Sequence, residues 1–262
     1  MRTAARILGY EIRNLIRSRW VLAYALIFLA LTDALFRFGG TSDRVIMSLT
    51  NVVLLLIPLV SVVLGTMHLY HAREFIELLL AQPVGRRTLF AGLYGGLALP
   101  LAAAFVVGAG LPFLYTGAVA SDPGALLVLL GTGTLLTLTF TALAFLVALR
   151  FQDRAVGLGV AIVLWLGLAV LFDGVILLGI ALLGNWPLER PVLIATLLNP
   201  VDIGRVLLLM QFDLSALSGY TGAVFERFFG TGLGRTVAIT ALLGWTLVPL
   251  LLGARRFARK DF

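Results

Sequence analysis

Six apolar runs leave this chain few folds to choose from. They occupy residues 20–38, 46–70, 89–116, 125–149, 156–183 and 235–254, each long enough to cross about 30 Å of hydrocarbon at roughly 20 residues per helix. Backbone amides in lipid must bond one another, so runs of this length read as helices rather than irregular chain. The expected fold is an all-α integral membrane protein with six transmembrane helices. Composition agrees: 60% of the residues are hydrophobic and only 13% charged, more apolar surface than a soluble core needs.

The net charge of +7 would suit a nucleic-acid binder, but its placement reads as membrane topology. With the N-terminus inside, cytoplasmic segments carry 14 of the 20 basic residues and the other side carries 6, the bias that orients spans. Both termini are then cytoplasmic, in a multi-pass membrane protein. A cleaved signal peptide is rejected, because the first apolar run is too long and ends in Arg37-Phe38-Gly39-Gly40. The single lysine, Lys260, follows Arg259, so it cannot serve a Gly-Lys phosphate-binding loop. The chain has no cysteine, which excludes disulfides, thiolate metal sites and lipoprotein acylation.

Residues 3–19 place Leu8, Ile12, Leu15 and Ile16 on one helical face and Arg6, Arg13 and Arg17 on another. That is the pattern of an interfacial helix, with a basic juxtamembrane extension as the alternative. In the extracytoplasmic region 184–234, residues 192–212 are apolar enough for a seventh span. Asn199-Pro200 interrupts it, however, and Asp202 and Arg205 would lie deep in lipid. The expectation is two short re-entrant helices, about 190–198 and 201–212, hinged at Asn199-Pro200 and covered by the bundle. Asp33 and Asp173 are intramembrane acids. Arg37 lies one turn from Asp33, whereas Asp173 has no opposite charge at i±3 or i±4, which leaves it functional or a structural hydrogen-bonding group.

Residues 73–87 form an amphipathic segment between two spans. Phe75, Leu78 and Leu79 are read on one face, Glu74 lies one turn from Leu78, and Glu77 and Gln82 add polar groups. Pro83 stops the helix, Gly85 permits the turn, and Arg86 and Arg87 can hold headgroups. A solvated loop that only fixes topology is the plain alternative. A membrane subunit driven by a separate motor needs such a rigid, basic-flanked contact. Met47, Met67, Met210, His68 and His71 are the candidate ligands for a soft metal ion, but they are scattered, and isolated Met in spans usually packs. No metal site and no catalytic residue is expected.

The stretch Arg-Glu-Phe-Ile-Glu-Leu-Leu-Leu-Ala-Gln-Pro-Val-Gly-Arg-Arg-Thr-Leu-Phe-Ala-Gly, residues 73–92, resembles the coupling-helix region of ABC-2-type permeases. The resemblance extends to the N-terminal helix, the six-span plan and the broken helical pair, and so to a single transmembrane domain over 1–262. Leu93, where many members place Lys, departs from the pattern. Phe172-Asp173 followed by Leu197-Leu198-Asn199-Pro200-Val201-Asp202-Ile203-Gly204-Arg205 is similar to permeases of nitrous-oxide reductase maturation systems. These resemblances imply a homodimer, a cytoplasmic ABC ATPase that binds ATP and Mg, and a periplasmic solenoid partner. They also imply a role in copper-sulfur centre assembly, with no cofactor on this chain. Glu74, Phe75, Glu77, Leu78, Leu79, Gln82, Pro83, Arg86 and Arg87 would make the ATPase contact. Asn199, Pro200, Asp202 and Arg205 would form the extracytoplasmic hinge or partner contact. Two readings stay open beside this one: an ABC exporter of a lipid, antibiotic or ion, and an ATP-independent channel or membrane enzyme.

Overall fold

The computed structural model describes residues 19–39, 41–82, 84–120, 122–183, 189–210 and 232–260. The expected interfacial helix (apart from Arg19), Pro83 and much of the 184–234 region lie outside the described residues. Among the described residues, six helical segments are long and apolar enough to cross a membrane, with the bent pair Pro191–Leu197 and Pro200–Leu209 as a further candidate. The six are α1 (Arg19–Gly39), α2 (Ser42–His71), α4 (Arg86–Tyr115), α5 (Pro123–Arg150), the fifth segment described next, and α10 (Gly232–Arg259). The fifth consists of α6 (Arg154–Leu166), a π-helical turn (Gly167–Leu171) and α7 (Phe172–Leu183) in succession. Between α2 and α4 lies the short α3 (Arg73–Leu80), and before α10 come α8 (Glu189–Leu197) and α9 (Pro200–Leu209).

Helix starts follow local chemistry. Asp122 accepts the Ala125 amide at 2.9 Å and Asp153 accepts those of Ala155 and Val156. Asn199 accepts the Val201 amide at 3.0 Å. Pro123 and Pro200 stand at the first helical position of α5 and α9, where a missing N–H costs nothing.

Helix α5 is the hub, contacting α2, α4, α9 and α10. Small residues bring the axes together: a Cβ on Gly65 would meet Ala144 Cβ at 2.7 Å, and one on Gly108 would strike the Ala25 carbonyl. Phe28 packs edge-on against Phe105 with centroids 5.0 Å apart, and Phe90, Phe145 and Phe257 fill the opposite half. Such edge-to-face pairs contribute about 1 kcal/mol beyond burial. Polar glue crosses between helices where Thr139 and Thr246 hydroxyls lie 2.7 Å apart and Tyr94 donates to the Leu138 carbonyl at 2.9 Å.

The bundle has two chemically distinct ends. Arg86 at the start of α4 meets the end of α10, while Tyr115 at the end of α4 meets Asp33 near the end of α1. Among the described residues, ten of the basic side chains gather at the Arg86 end and four at the other; we call these the basic end and the far end. Helices α8 and α9 are bent by 106°. Nearly all of α9 is buried, and Gly204 faces Leu54, Thr132 and Leu136. Helix α9 therefore inserts into the far half of the bundle, while α8 keeps exposed residues such as Ile194. The hinge lies where Pro200, which cannot donate an amide, follows the extended Asn199.

Candidate functional site

Two constellations stand out, one at each end. At the basic end, Ala72 alone separates α2 from α3. The face of α3 turned inward carries Ile76, fully buried, with Ala72, Leu79 and Leu80 packed beside it. Burying one such isoleucine contributes about 2 kcal/mol. Glu74, Glu77, Leu78 and Ala81 recur at i, i+3, i+4 and i+7 and are all exposed, Leu78 to 70%. This corrects the expected apolar face, for Leu78 points away from the bundle while Phe75 is half-buried. The reason is that Ile76 together with Ala72 and Leu80 makes the better core stripe. Gln82 is exposed beyond the helix.

This helix is clamped at its root. The Tyr70 hydroxyl lies 3.0 Å from the Phe151 carbonyl and 3.2 Å from that of Asp153. Arg73 donates to the same Phe151 carbonyl at 3.3 Å, its guanidinium 4.6 Å from the Tyr70 ring centroid. Arg86 donates to the Lys260 carbonyl at 2.6 Å and the Ala258 carbonyl at 3.4 Å. Lys260 in turn donates to the Leu149 carbonyl at 3.1 Å. The roots of α3, α4, α5, α6 and α10 are thus tied by cationic and phenolic donors to the ends of neighbouring helices. Arg86 is therefore committed to a protein contact rather than to headgroups, while Arg87 remains exposed. Burial, and secondarily the positive charge of Arg73, holds the Lys260 ammonium below its ordinary pKa.

At the far end, Arg205 on α9 bridges two acids. Its guanidinium makes a bidentate contact with Asp173 on α7, at 2.7 and 2.9 Å. It also lies 3.1 Å from Asp202 Oδ1. Asn199 Nδ2 donates to Asp202 Oδ2 at 3.0 Å and to the Leu168 carbonyl, inside the π-helical turn, at 2.8 Å. Trp245 of α10 donates to the Leu197 carbonyl at 3.1 Å. The structure therefore brings Asp173, Asn199, Asp202 and Arg205 into one network around the hinge at Pro200. Asp33 lies apart from it, paired with Arg37 at 2.7 Å and accepting from the Tyr115 hydroxyl at 2.6 Å.

Several residues of these sites had no signal in the sequence. Tyr70, Arg73 and Lys260 act through backbone carbonyls 78 to 111 positions away, and Trp245 looks like an ordinary span aromatic. Chemically, the basic end offers a rigid platform with an outward acidic-apolar stripe. The far end offers a charge-compensated latch on a buried, sharply bent helix.

Comparison with known proteins fits this architecture. Residues 5–262 match the ABC-2 family transporter protein family. The chain is 31% identical over 227 residues to the probable ABC transporter permease protein NosY of Pseudomonas aeruginosa, covering 80% of this chain and 82% of the relative. It is 27% identical over 270 aligned positions to the corresponding NosY protein of Stutzerimonas stutzeri, covering 95% and 96%. A match over nearly the whole length, on a bundle of six long apolar helices, makes this chain a member of the ABC-2 transporter family, the permease subunit of an ABC transporter.

Proposed function

We propose that the chain couples a separate cytoplasmic ATPase to an event on the other side of the membrane, with α3 as the seat of the ATPase. The observation that carries this is the exposed Glu74/Glu77/Leu78/Ala81 stripe on a helix whose opposite face and root are fixed to the bundle. A rigid helix of this kind passes a push into α2 and α4 instead of absorbing it. The density of arginine at that end supports a cytoplasmic orientation, with both termini inside. ATP and Mg would reside on the ATPase, and two copies of this chain would pair with two ATPases. The 150–155 loop, whose Phe151 and Asp153 carbonyls are bonded to Tyr70, would be the second and smaller contact.

The NosY relatives and the Asn199-Pro200-Val201-Asp202 segment support a specific setting: maturation of the copper-sulfur centre of nitrous-oxide reductase. The ATPase would then be NosF-like and the extracytoplasmic partner a NosD-like solenoid, engaging the α8–α9 elbow. Movement of α2 would reach that elbow directly, since Leu54 of α2 packs on Gly204 of α9.

The test is affinity purification of the tagged chain from its native membranes, beside a variant carrying Glu77→Arg and Leu78→Ala. The expected result is an ATPase and a solenoid protein with the parent, and loss of the ATPase with the variant. An ATPase without a solenoid would replace maturation by export of another cargo. Undiminished ATPase recovery with the variant would remove α3 from the coupling role.

A further inference from the structure

At the basic end, two helices present matching stripes to one another. On α10, Leu252, Arg255, Arg256 and Arg259 recur at i, i+3, i+4 and i+7, while Gly253 and Phe257 on the opposite side pack into the core. On α5, Leu146, Leu149 and Arg150 recur at i, i+3 and i+4. The stripes line one open groove of about 840 Å³, with Gln152 and Lys260 at its edge. Its floor is leucine from the bodies of two spans, and its mouth is basic.

Four arginines there have no carboxylate partner among the described residues. Cations at a helix C-terminus do complement the dipole, but that accounts neither for the contribution from α5 nor for the apolar floor. The floor continues away from the mouth along α10, where Leu247, Val248 and Leu251 are 52–57% exposed. An occupant therefore needs an anionic head and an apolar tail running parallel to a span. An acidic protein segment would satisfy the mouth and leave the leucine track bare.

We propose that this groove is a binding site for an anionic phospholipid of the adjoining leaflet. The guanidinium groups of Arg150, Arg255, Arg256 and Arg259 hold the phosphodiester, and the acyl chains follow Leu252 down α10. Guanidinium forks match phosphate oxygens two at a time, and basic pockets between spans suit such headgroups. The volume is ample for a phosphate with its glycerol backbone. The site is independent of which side of the membrane the basic end faces. It also gives the lipid a mechanical place, since Lys260 at its rim is bonded to Leu149 and, through its carbonyl, to Arg86.

The test uses the full chain, purified and delipidated in mild detergent, then titrated with phosphatidylglycerol or phosphatidylcholine and read by native mass spectrometry. Phosphatidylglycerol should be retained selectively by the parent. Retention should weaken on the order of a hundredfold when Arg255, Arg256 and Arg259 are all changed to Gln, about fivefold for each guanidinium removed. Arg→Lys at the same three positions should keep the charge but lose the fork, and so retain an intermediate share, and Arg19→Gln, outside the groove, should keep all of it. Equal retention of phosphatidylcholine, or an unaffected Gln variant, would overturn the proposal. Competition by millimolar inorganic phosphate alone would make this a free-anion site instead. A Gln variant that binds lipid normally but no longer recovers the ATPase would give the groove to that partner.

Discussion

At the far end, Arg205 sits between the carboxylates of Asp173 and Asp202, whereas at the basic end Arg73, Arg86 and Lys260 donate to backbone carbonyls. Both arrangements satisfy hydrogen bonds, but they differ in what they do to charge. A carboxylate cancels the cation it holds. A carbonyl satisfies the donor and leaves its field outside the protein almost intact. The basic end is consequently tied together without being neutralised, and it stays attractive to an acidic helix, a phosphate or a partner. The far end is tied together and quenched, as suits groups packed against a buried helix, where an unpaired charge is costly.

The sharpest way to break this contrast is Arg205→Ala. It strands Asp173 and Asp202, and should cost about 2–3 kcal/mol, read as thermal unfolding in detergent. This is less than a deeply buried pair would lose, because the Arg205 and Asp173 side chains each keep 34% exposure and are partly screened. Arg205→Gln together with Asp173→Asn should recover much of the loss. If Arg205→Ala proved as mild as the next change, the latch would be decorative.

That next change is Tyr70→Phe, which removes one neutral donor from the Phe151 and Asp153 carbonyls at a cost of about 1 kcal/mol. Hydrogen exchange should rise around 151–157 and stay fixed around 199–205. Faster exchange at both ends would mean that the two constellations are one cooperative unit. The smallest effect should come from Asp33→Asn. Arg37 is 75% exposed in that pair, so the melting temperature should move little, and raising the salt should erase even that. A large loss would show that the far end depends on surface charge as well as on the latch.

Much of the bundle was legible because its signals are local. Apolar runs mark spans, and Asn199-Pro200 marks a break by removing a donor and forcing an extended residue before it. The acidic-apolar segment after Ala72 announced a helix, but not which side of it would be exposed. That depended on Ile76 finding a place in the core formed with α2. Asp173 showed no partner at helical spacing because its partner lies 32 positions away on α9, brought near only when the elbow folds in. The basic groove was equally hidden. Arg255, Arg256 and Arg259 read as a topological tail until α5 supplies Arg150 and a leucine floor. Contacts made by tertiary approach leave no periodic trace.

The widened turn at Gly167–Leu171 has a further consequence. An inserted residue of this kind advances everything beyond it by about 100° around the axis, so α6 and α7 share a direction but not a phase. Asp173, which pairs with Arg205, lies just past the offset, so its direction is set relative to α6 by that turn. Shortening the turn by a single residue would leave the composition and length of the span almost unchanged. It would nevertheless swing the carboxylate off its partner, making this turn the angular index of the far-end network.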